Sequence, residues 1–193
     1  KVNGEWSTPH GIGKPVNTGS WEAQPSFSSD GRALYFASNR PGGYGGKDIW
    51  VSYLDDKMQW SEPKNLGPNV NTKFDDQCPF IHADNQTLYF TSNGWPGLGN
   101  GDIFMARKTD TSWTTAENIG YPINTENDDN GLTVSYDGKM AFLASNRAGG
   151  FGGLDIYRFE LPEKVQPQKI TYIKGTVKDA YSKQLLNAEY TII

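Results

Sequence analysis

The sequence contains few of the residues on which enzymatic and metal sites most often depend. Among 193 residues it has one cysteine, Cys78, and two histidines, His10 and His82. One cysteine excludes an intrachain disulfide, and the sequence offers no spacing of ligands typical of a zinc site. Neither histidine stands in a serine or cysteine nucleophile motif. The sequence therefore predicts a protein with no catalytic residue, no metal and no cofactor.

Long apolar runs and basic runs are also absent. No stretch approaches the roughly 20 apolar residues of a membrane-spanning helix, and no run of four or more Lys or Arg occurs, with a formal net charge of −4. We therefore expect no transmembrane segment and no nucleic-acid partner. The first residue is Lys1, and no signal-peptide pattern follows. This leads us to expect a piece of a longer protein or a chain from which a leader was removed.

A threefold repeat is the main feature that is present. Residues of the same type recur at an offset of 54 and then of 53 positions, in five columns that keep one register. Three of the columns are the tryptophans Trp6, Trp60 and Trp113, the asparagines Asn17, Asn71 and Asn124, and the aspartates Asp48, Asp102 and Asp155. A period near 50 residues indicates a repeat architecture.

Each repeat has the pattern of four β-strands. A first strand near Pro25–Ser28 ends in an Asp-Gly turn, and a fourth strand opens at Trp60 or Trp113. The second strands, apolar on both faces, are predicted at Ala33–Ser38, Thr87–Ser92 and Met140–Ser145. The third strands are predicted at Ile49–Leu54, Ile103–Arg107 and Ile156–Leu161.

Strands that are apolar on both faces must be covered on both faces. Stacking four-stranded sheets around an axis achieves this, and the fold class is therefore predicted to be an all-β β-propeller. A solenoid is the alternative, although its repeats usually run about 20–45 residues. We expect residues 1–161 to form three four-stranded blades of a larger, six-bladed ring, with a ring of two copies as the alternative. Residues 162–169 form a linker, and 170–193, with strands at Ile170–Val177 and Ala188–Ile193, begin an incomplete β-sandwich.

Two sequence segments carry a family resemblance. The segments Trp60–Thr72 and Pro25–Trp50 resemble the TolB-like, WD-type propeller repeat found in OmpA-family periplasmic proteins of Bacteroidota. These include the peptidoglycan-associated component of the type IX secretion system. The segment from Ile173 to Ala188 resembles the start of a carboxypeptidase-regulatory-like domain. Gly94 departs from the repeat, where the other two copies have Arg, and so does Leu132, where they suggest Pro.

The resemblance implies a cellular setting and a set of partners. It implies a periplasmic protein associated with the outer membrane, whose partners are other proteins of the outer membrane or periplasm. Peptidoglycan binding is implied only through an OmpA-like domain that is absent from this chain.

One acidic column has two interpretations. Glu22, Asp76 and Asp129 follow the Val-Asn-Thr segments, which we expect on the same face as the Gly-rich loops. They could form a ring of carboxylates at the channel mouth that binds a cation or a basic partner segment. The alternative is that they cap backbone amides in the turn between blades.

Two further columns are predicted to be structural. Asp48, Asp102 and Asp155 precede the third strand in every copy, whereas catalysis requires one residue in one unsymmetrical pocket. We expect them to accept hydrogen bonds from the adjacent Gly-rich loops. The same reasoning applies to Asn17, Asn71 and Asn124.

The Gly-rich loops lack the Gly-Lys-Ser/Thr sequence of a phosphate loop and lead into a strand instead of a helix. Their projecting side chains are better candidates for a protein-binding surface, because aromatic residues and Arg dominate interface hot spots. The candidates are Arg40, Tyr44, Trp95, Arg147 and Phe151. Packing between blades is the alternative role for these residues.

These observations predict a non-enzymatic protein-binding or scaffold module, and the resemblance implies that it is part of a secretion or envelope-anchoring complex. The alternative is a propeller that binds a ligand or metal, or hydrolyses glycans, through acidic loops on one face. A third interpretation is a simple spacer. A pocket whose residues differ from those at the equivalent position between other blades would favour the ligand-binding alternative.

Overall fold

The computed structural model describes residues 6–171 and 176–186 and is built from β-strands. The strands are β1 Glu22–Phe27, β2 Ala33–Ser38, β3 Asp48–Tyr53, β4 Lys64–Asn65, β5 Asp76–Ile81, β6 Thr87–Ser92, β7 Asp102–Arg107, β8 Glu117–Asn118, β9 Asp129–Val134, β10 Met140–Ser145 and β11 Asp155–Glu160. One 3-10 turn at Glu163–Val165 follows β11. In the described part of the chain, no helix has the length and apolar character needed to span a membrane.

The strands form three antiparallel sheets in sequence order, which we call the first, second and third blade. Their strand orders are β1-β2-β3-β4, β5-β6-β7-β8 and β11-β10-β9. In the first two blades, bridges from Trp60 to Leu54 and from Trp113 to Lys108 open the outer strand. The third blade has three strands within the described residues, because the chain passes from β11 through Pro162 into the 3-10 turn.

The blades pack face to face. Ile49 and Val51 of the first blade lie in one apolar cluster with Leu88 and Phe90 of the second. Ile103 and Met105 of the second blade lie in the next cluster, with residues of the third. Each fully buried side chain of this size contributes about 1.5–3 kcal/mol. The predicted propeller architecture is thus confirmed for these three sheets.

The first strand of each blade lies nearest the axis, since β1 contacts β5 and β5 contacts β9. Each of these strands has a residue with positive φ at the same repeat position: Gln24, Cys78 and Gly131. In β1 and β5 this residue lies within a register irregularity of the pairing to the second strand. The Cys78 backbone N–H donates to Gln24 Oε1 at 2.9 Å, so that the two bulges are joined across the blades.

The second strands coincide with their predicted bounds, β1 and β7 are longer than predicted, and β3 and β11 have the predicted length but are shifted by one residue. β1 begins at Glu22 instead of Pro25, and the third strands begin one residue earlier, at the aspartates. A bridge between Lys178 and Leu185 lies in the described part of the predicted sandwich segment. Residues 172–175 and Ala188–Ile193 lie outside the described residues, so the sandwich remains a prediction.

Candidate functional site

One end of the blades carries the predicted site residues. Glu22 pairs with Ser38, Asp76 with Ser92 and Asp129 with Ser145. The loops that enter each first strand and leave each second strand therefore lie at the same end. We call this end the loop face.

The aspartates at the start of the third strands are held by their own loops. Asp102 Oδ2 accepts hydrogen bonds from the N–H groups of Leu98 at 2.8 Å and Gly99 at 3.1 Å. The equivalent donors are Tyr44 and Gly45 to Asp48, and Phe151 and Gly152 to Asp155. Each carboxylate thus closes the Gly-rich loop of its blade, which is the geometry that the structural interpretation requires.

The glycines of these loops allow close approach to the next blade. A Cβ on Gly45 would lie 2.3 Å from Phe74 O, and one on Gly99 would lie 2.0 Å from Asn127 O. Both distances are far inside van der Waals contact, so any larger residue would push the blades apart. At the equivalent Gly152 a Cβ would meet nothing within 4 Å, since no described residue follows the third blade there.

The asparagines of the second and third Val/Ile-Asn-Thr segments join neighbouring blades. Asn71 accepts a hydrogen bond from Ile49 N at 2.8 Å and donates one to Ile49 O at 2.9 Å. Asn124 makes the same pair of bonds to Ile103, both at 2.8 Å. Both asparagines are buried, whereas Asn17 is exposed. Asn17 occupies the same position at the uncovered side of the first blade.

The acidic column caps the turns between blades. Thr18 N donates to Glu22 at 3.2 Å and Thr125 N donates to Asp129 at 2.7 Å. Asp76 accepts the equivalent bond from Thr72 N. Asp76 and Asp129 are fully buried, so the column does not form an open ring of carboxylates. Within residues 6–171 and 176–186, no three His, Cys, Asp or Glu side chains are grouped to hold a metal.

Arg40 points into the protein instead of projecting from its loop, where the sequence analysis placed it. Its side chain is 8% exposed and pairs with Glu22. It donates to Val16 O at 2.6 Å and to Ser38 Oγ at 3.1 Å. The guanidinium carbon also lies 4.8 Å from the centre of the Phe36 ring. The carbonyl of the buried Val16 and the partly buried carboxylate of Glu22 meet at one point and account for this inward position.

Arg147 makes the equivalent contacts in the third blade. It donates to Ile123 O at 2.7 Å, to Ser145 Oγ at 3.0 Å and to Asp129 Oδ1 at 2.5 Å. Its guanidinium carbon lies 5.0 Å from the centre of the Tyr157 ring. We call this arrangement, in the first and third blades, the arginine clamp. It ties the turn between blades to the start of the first strand.

The second blade lacks the clamp. Gly94 stands at the arginine position, and Trp95 Nε1 donates to Val70 O at 3.0 Å, the carbonyl equivalent to those of Val16 and Ile123. Asp76 Oδ1 is buried without a hydrogen-bond partner among the described residues. Burial raises the pKa of Asp76 to about 6, against the lowering effect of Ser92 and Thr72 and with a further rise from Asp48. Because its indole N–H is bonded to Val70 O, Trp95, like Arg40, is a packing residue.

Three apolar side chains project from the Gly-rich loops at the loop face. Tyr44 is 51% exposed, Leu98 56% and Phe151 fully exposed, and they occupy one repeat column. We call them the loop-tip residues. Of the five predicted binding residues, only Tyr44 and Phe151 project. The aromatic residue of the second loop, Trp95, was predicted to project in place of Leu98, although the repeat register points to Leu98.

A polar cavity of about 190 Å³ lies between the second and third blades, at the loop face. Asp75 and Asp128 line it together with amide and hydroxyl side chains. No sequence pattern predicted this cavity, because most of its lining residues do not recur between the repeats. The cavity could have been found from the positions at which the repeats carry different residues, above all Lys47 in the first repeat and Gly101 in the second.

The three stacked sheets and their shared loop face define a β-propeller. No protein family and no curated protein matches this sequence. Solved structures do show the same fold. TolB from Acinetobacter baumannii has a TM-score of 0.50 and 19% sequence identity, and the match covers 72% of this chain and 29% of TolB.

Two other solved structures are similar. A protein assigned as TolB from Agrobacterium tumefaciens has a TM-score of 0.51 and 17% identity, covering 75% of this chain and 47% of that one. An alpha-L-arabinofuranosidase from Lactobacillus brevis has a TM-score of 0.50 and 17% identity, covering 81% and 54%. This chain thus spans about half or less of the length of these proteins. At such identities the similarity establishes the fold.

Proposed function

We propose that this chain is a non-enzymatic protein-binding scaffold module and that its loop face is the contact surface. The observation that carries the proposal is the loop-tip column, in which Tyr44, Leu98 and Phe151 expose apolar side chains at equivalent points of three rigid blades. Apolar and aromatic side chains held on a rigid framework lose little conformational entropy on binding and are common hot spots. The fold shared with TolB supports an interaction role.

The finer part of the proposal follows the repeat resemblance. We place the module in an outer-membrane-associated periplasmic protein that belongs to a secretion or envelope-anchoring complex. Its partners there are other outer-membrane or periplasmic proteins. Peptidoglycan contact belongs to a separate OmpA-like domain.

The test is a binding experiment with matched variants. The purified chain, immobilised, is exposed to an envelope extract, and retained proteins are identified by mass spectrometry. A triple variant with serine at the loop tips (Tyr44→Ser, Leu98→Ser, Phe151→Ser) is expected to lose the retained proteins while its thermal unfolding midpoint stays unchanged. Met58→Ser is the control, because Met58 is 72% exposed in the turn between β3 and β4, at the opposite end of the blade.

Retention of the same proteins by the triple variant would overturn the assignment of the loop face. Retention of none by the unaltered chain would overturn the scaffold role itself.

A second candidate function is ligand binding or glycan hydrolysis in the polar cavity. Its support is a pocket whose residues differ from those between the first two blades, together with the fold shared with an arabinofuranosidase. Glycosidases use a pair of carboxylic acids, and Asp75 and Asp128 both line the cavity. Asp75, however, is engaged by Lys47. We expect no release of arabinose from nitrophenyl arabinofuranoside; release that is lost in Asp128→Asn would establish the enzymatic alternative instead.

A further inference from the structure

The junction between the first and second blades contains an internal ammonium site. Lys47 Nζ donates to Asp75 Oδ2 at 2.8 Å, and the Lys47 backbone N–H donates to Asp75 Oδ1 at 3.0 Å. The ammonium also lies 5.4 Å from the centre of the Trp21 ring. A lysine of the chain thus neutralises the carboxylate at the entrance to β5.

The junction between the second and third blades repeats this backbone without the lysine. Asp129 N donates to Gly101 O at 2.8 Å, as Asp76 N donates to Lys47 O at 2.7 Å. Asp128 N donates to Asn146 Oδ1 at 2.8 Å, as Asp75 N donates to Asn93 Oδ1 at 2.9 Å. Gly101 therefore occupies the Lys47 position, and Asp128 occupies the Asp75 position.

The missing side chain leaves both a space and a charge. The cavity of about 190 Å³ lies beside Gly101. In the described part of the chain, the Asp128 carboxylate has no hydrogen bond and no ion pair. No Lys or Arg lines the cavity. The half-buried Asp128 is therefore a negative charge without a cation.

The cavity wall supplies additional acceptors that are absent from the first junction. Gln77 and Thr91 stand where the first blade has Ala23 and Ala37, and Asn100 stands at the position of Gly46. The amide oxygens and the hydroxyl can accept hydrogen bonds in addition to Asp128. An ammonium group has three donors and a compact charge, which matches a carboxylate flanked by neutral acceptors.

Other ligand classes fit less well. An anion would be repelled by Asp128, whose charge no Lys or Arg of the cavity lining balances. Among the described residues no three His, Cys, Asp or Glu side chains are grouped to hold a metal ion, and one of the two carboxylates here is already paired with Lys47. A neutral polyol would leave the charge of Asp128 uncompensated.

We propose that this cavity binds a primary ammonium group, carried either by a small alkylamine or by a lysine side chain of a protein partner. The site reproduces the Lys47–Asp75 contact with an ammonium that comes from outside the chain. The inference does not depend on the loop-tip residues, and the triple serine variant is expected to bind the ammonium group normally.

The experiment measures binding by NMR shift perturbation at low salt. The probes are butylammonium chloride, the peptide acetyl-Gly-Lys-Gly-amide, and the same peptide with its lysine side chain acetylated. We expect the first two to bind, with dissociation constants on the order of millimolar for so small a contact, and the acetylated peptide not to bind. A lysine-peptide affinity more than about tenfold above that of butylammonium identifies a protein lysine as the ligand; equal affinities identify a small amine.

Three variants separate this site from nonspecific attraction to an acidic protein. Asp128→Asn is expected to weaken binding at least about tenfold. Gly101→Lys is expected to abolish it by placing an internal ammonium on Asp128, with a tight fit because a Cβ there would lie 3.3 Å from Thr91 Cγ2. Asp110→Asn, at an exposed aspartate in the turn after β7, is the control and is expected to bind normally.

Two results would overturn the proposal. One is equal binding of butylammonium by Asp128→Asn and by the unaltered chain. The other is the absence of binding by either amine at concentrations of about 10 mM. If Gly101→Lys fails to fold, Asp128→Asn alone decides, since it removes the charge without adding volume.

Discussion

The second blade differs from the first and third in the side chain that donates to the carbonyl of the turn between blades. All three blades hold a buried carbonyl in the turn between blades, at Val16, Val70 and Ile123. Arg donates to it in the first and third blades, and Trp95 donates in the second. The indole satisfies the carbonyl but brings no positive charge to Asp76. The comparison shows that all three blades place a donor at this point, and that the donor of the second blade brings no positive charge to the acidic column.

The largest expected effect tests the clamp in the third blade. Arg147→Met leaves Asp129, which is fully buried, without its cation. Removing one partner of a buried ion pair typically costs about 3–5 kcal/mol, so the free energy of unfolding, measured in urea, should fall by this amount. Arg32→Met removes an exposed pair with Asp56 and should change little. Equal effects of the two variants would contradict the distinction between a buried clamp and a surface pair.

The pH dependence of stability tests the charge missing from the second blade. Asp76 has a pKa of about 6 when folded, raised by burial from an ordinary 3.8. Between these values the folded chain binds more protons than the unfolded chain, so stability falls as the pH rises from about 4 to about 6. Asp76→Asn lacks this titration. Its stability relative to the unaltered chain should rise by about 2 kcal/mol between pH 4 and pH 7.

Urea unfolding at several pH values measures this difference. Taking the difference between the two chains removes the titrations they share, including that of Asp84, whose pKa is lowered. A difference that does not vary with pH would show that Asp76 is ionised normally.

Introducing an arginine at the clamp position of the second blade is expected to destabilise the protein instead of restoring the clamp. The other two repeats have Arg at this position, which suggests the substitution Gly94→Arg. However, a Cβ at Gly94 would lie 2.0 Å from Thr72 Oγ1, and this hydroxyl donates a hydrogen bond to Asp76 at 3.0 Å. We expect this variant to lose about 1–3 kcal/mol, the usual cost of overpacking. Gly152→Arg, at a glycine with open space, is the matched control. A stabilised Gly94→Arg chain would mean that the second blade can adopt the geometry of its neighbours.

The smallest expected effect concerns Trp95, the uncharged donor to the Val70 carbonyl. Trp95→Phe keeps most of the ring packing but removes the hydrogen bond to Val70 O. The net loss should be about 1 kcal/mol, visible as a fall of a few degrees in the thermal unfolding midpoint. An unchanged midpoint would indicate that water replaces the indole N–H at this carbonyl.

The strands were predictable because burial on both faces leaves a continuous apolar pattern. Ala33–Ser38 and Thr87–Ser92 are buried throughout, whereas Phe142 of Met140–Ser145 is exposed; the bounds of all three coincide with the structure. The first strands were shorter in prediction because the bulge around Gln24 breaks the alternation of side chains. The third strands start at an aspartate, a residue uncommon in strands, whose side chain bonds its own loop while its backbone pairs.

The site was less predictable because it depends on where side chains turn. Arg40 follows a strand and precedes a Gly-rich loop, a context that usually indicates exposure. The carbonyl of Val16 and the carboxylate of Glu22, which draw it inward, are 24 and 18 positions away in the chain. Leu98 and the cavity were not predicted for a related reason: Leu98 is not aromatic, and most of the cavity-lining residues do not recur.

The repeat, its four-strand pattern and its propeller architecture followed from the sequence by itself, because spacing and two-faced apolarity are properties of the linear chain. Only the tertiary structure decided which loop residues are inside, which carboxylates have a cation and where a cavity remains. Those outcomes depend on groups that the fold brings together from different blades. Gly101, at the position equivalent to Lys47, leaves a cavity and an Asp128 carboxylate that is unpaired within the described part of the chain, and neither Gly101 nor Asp128 indicates this site by itself.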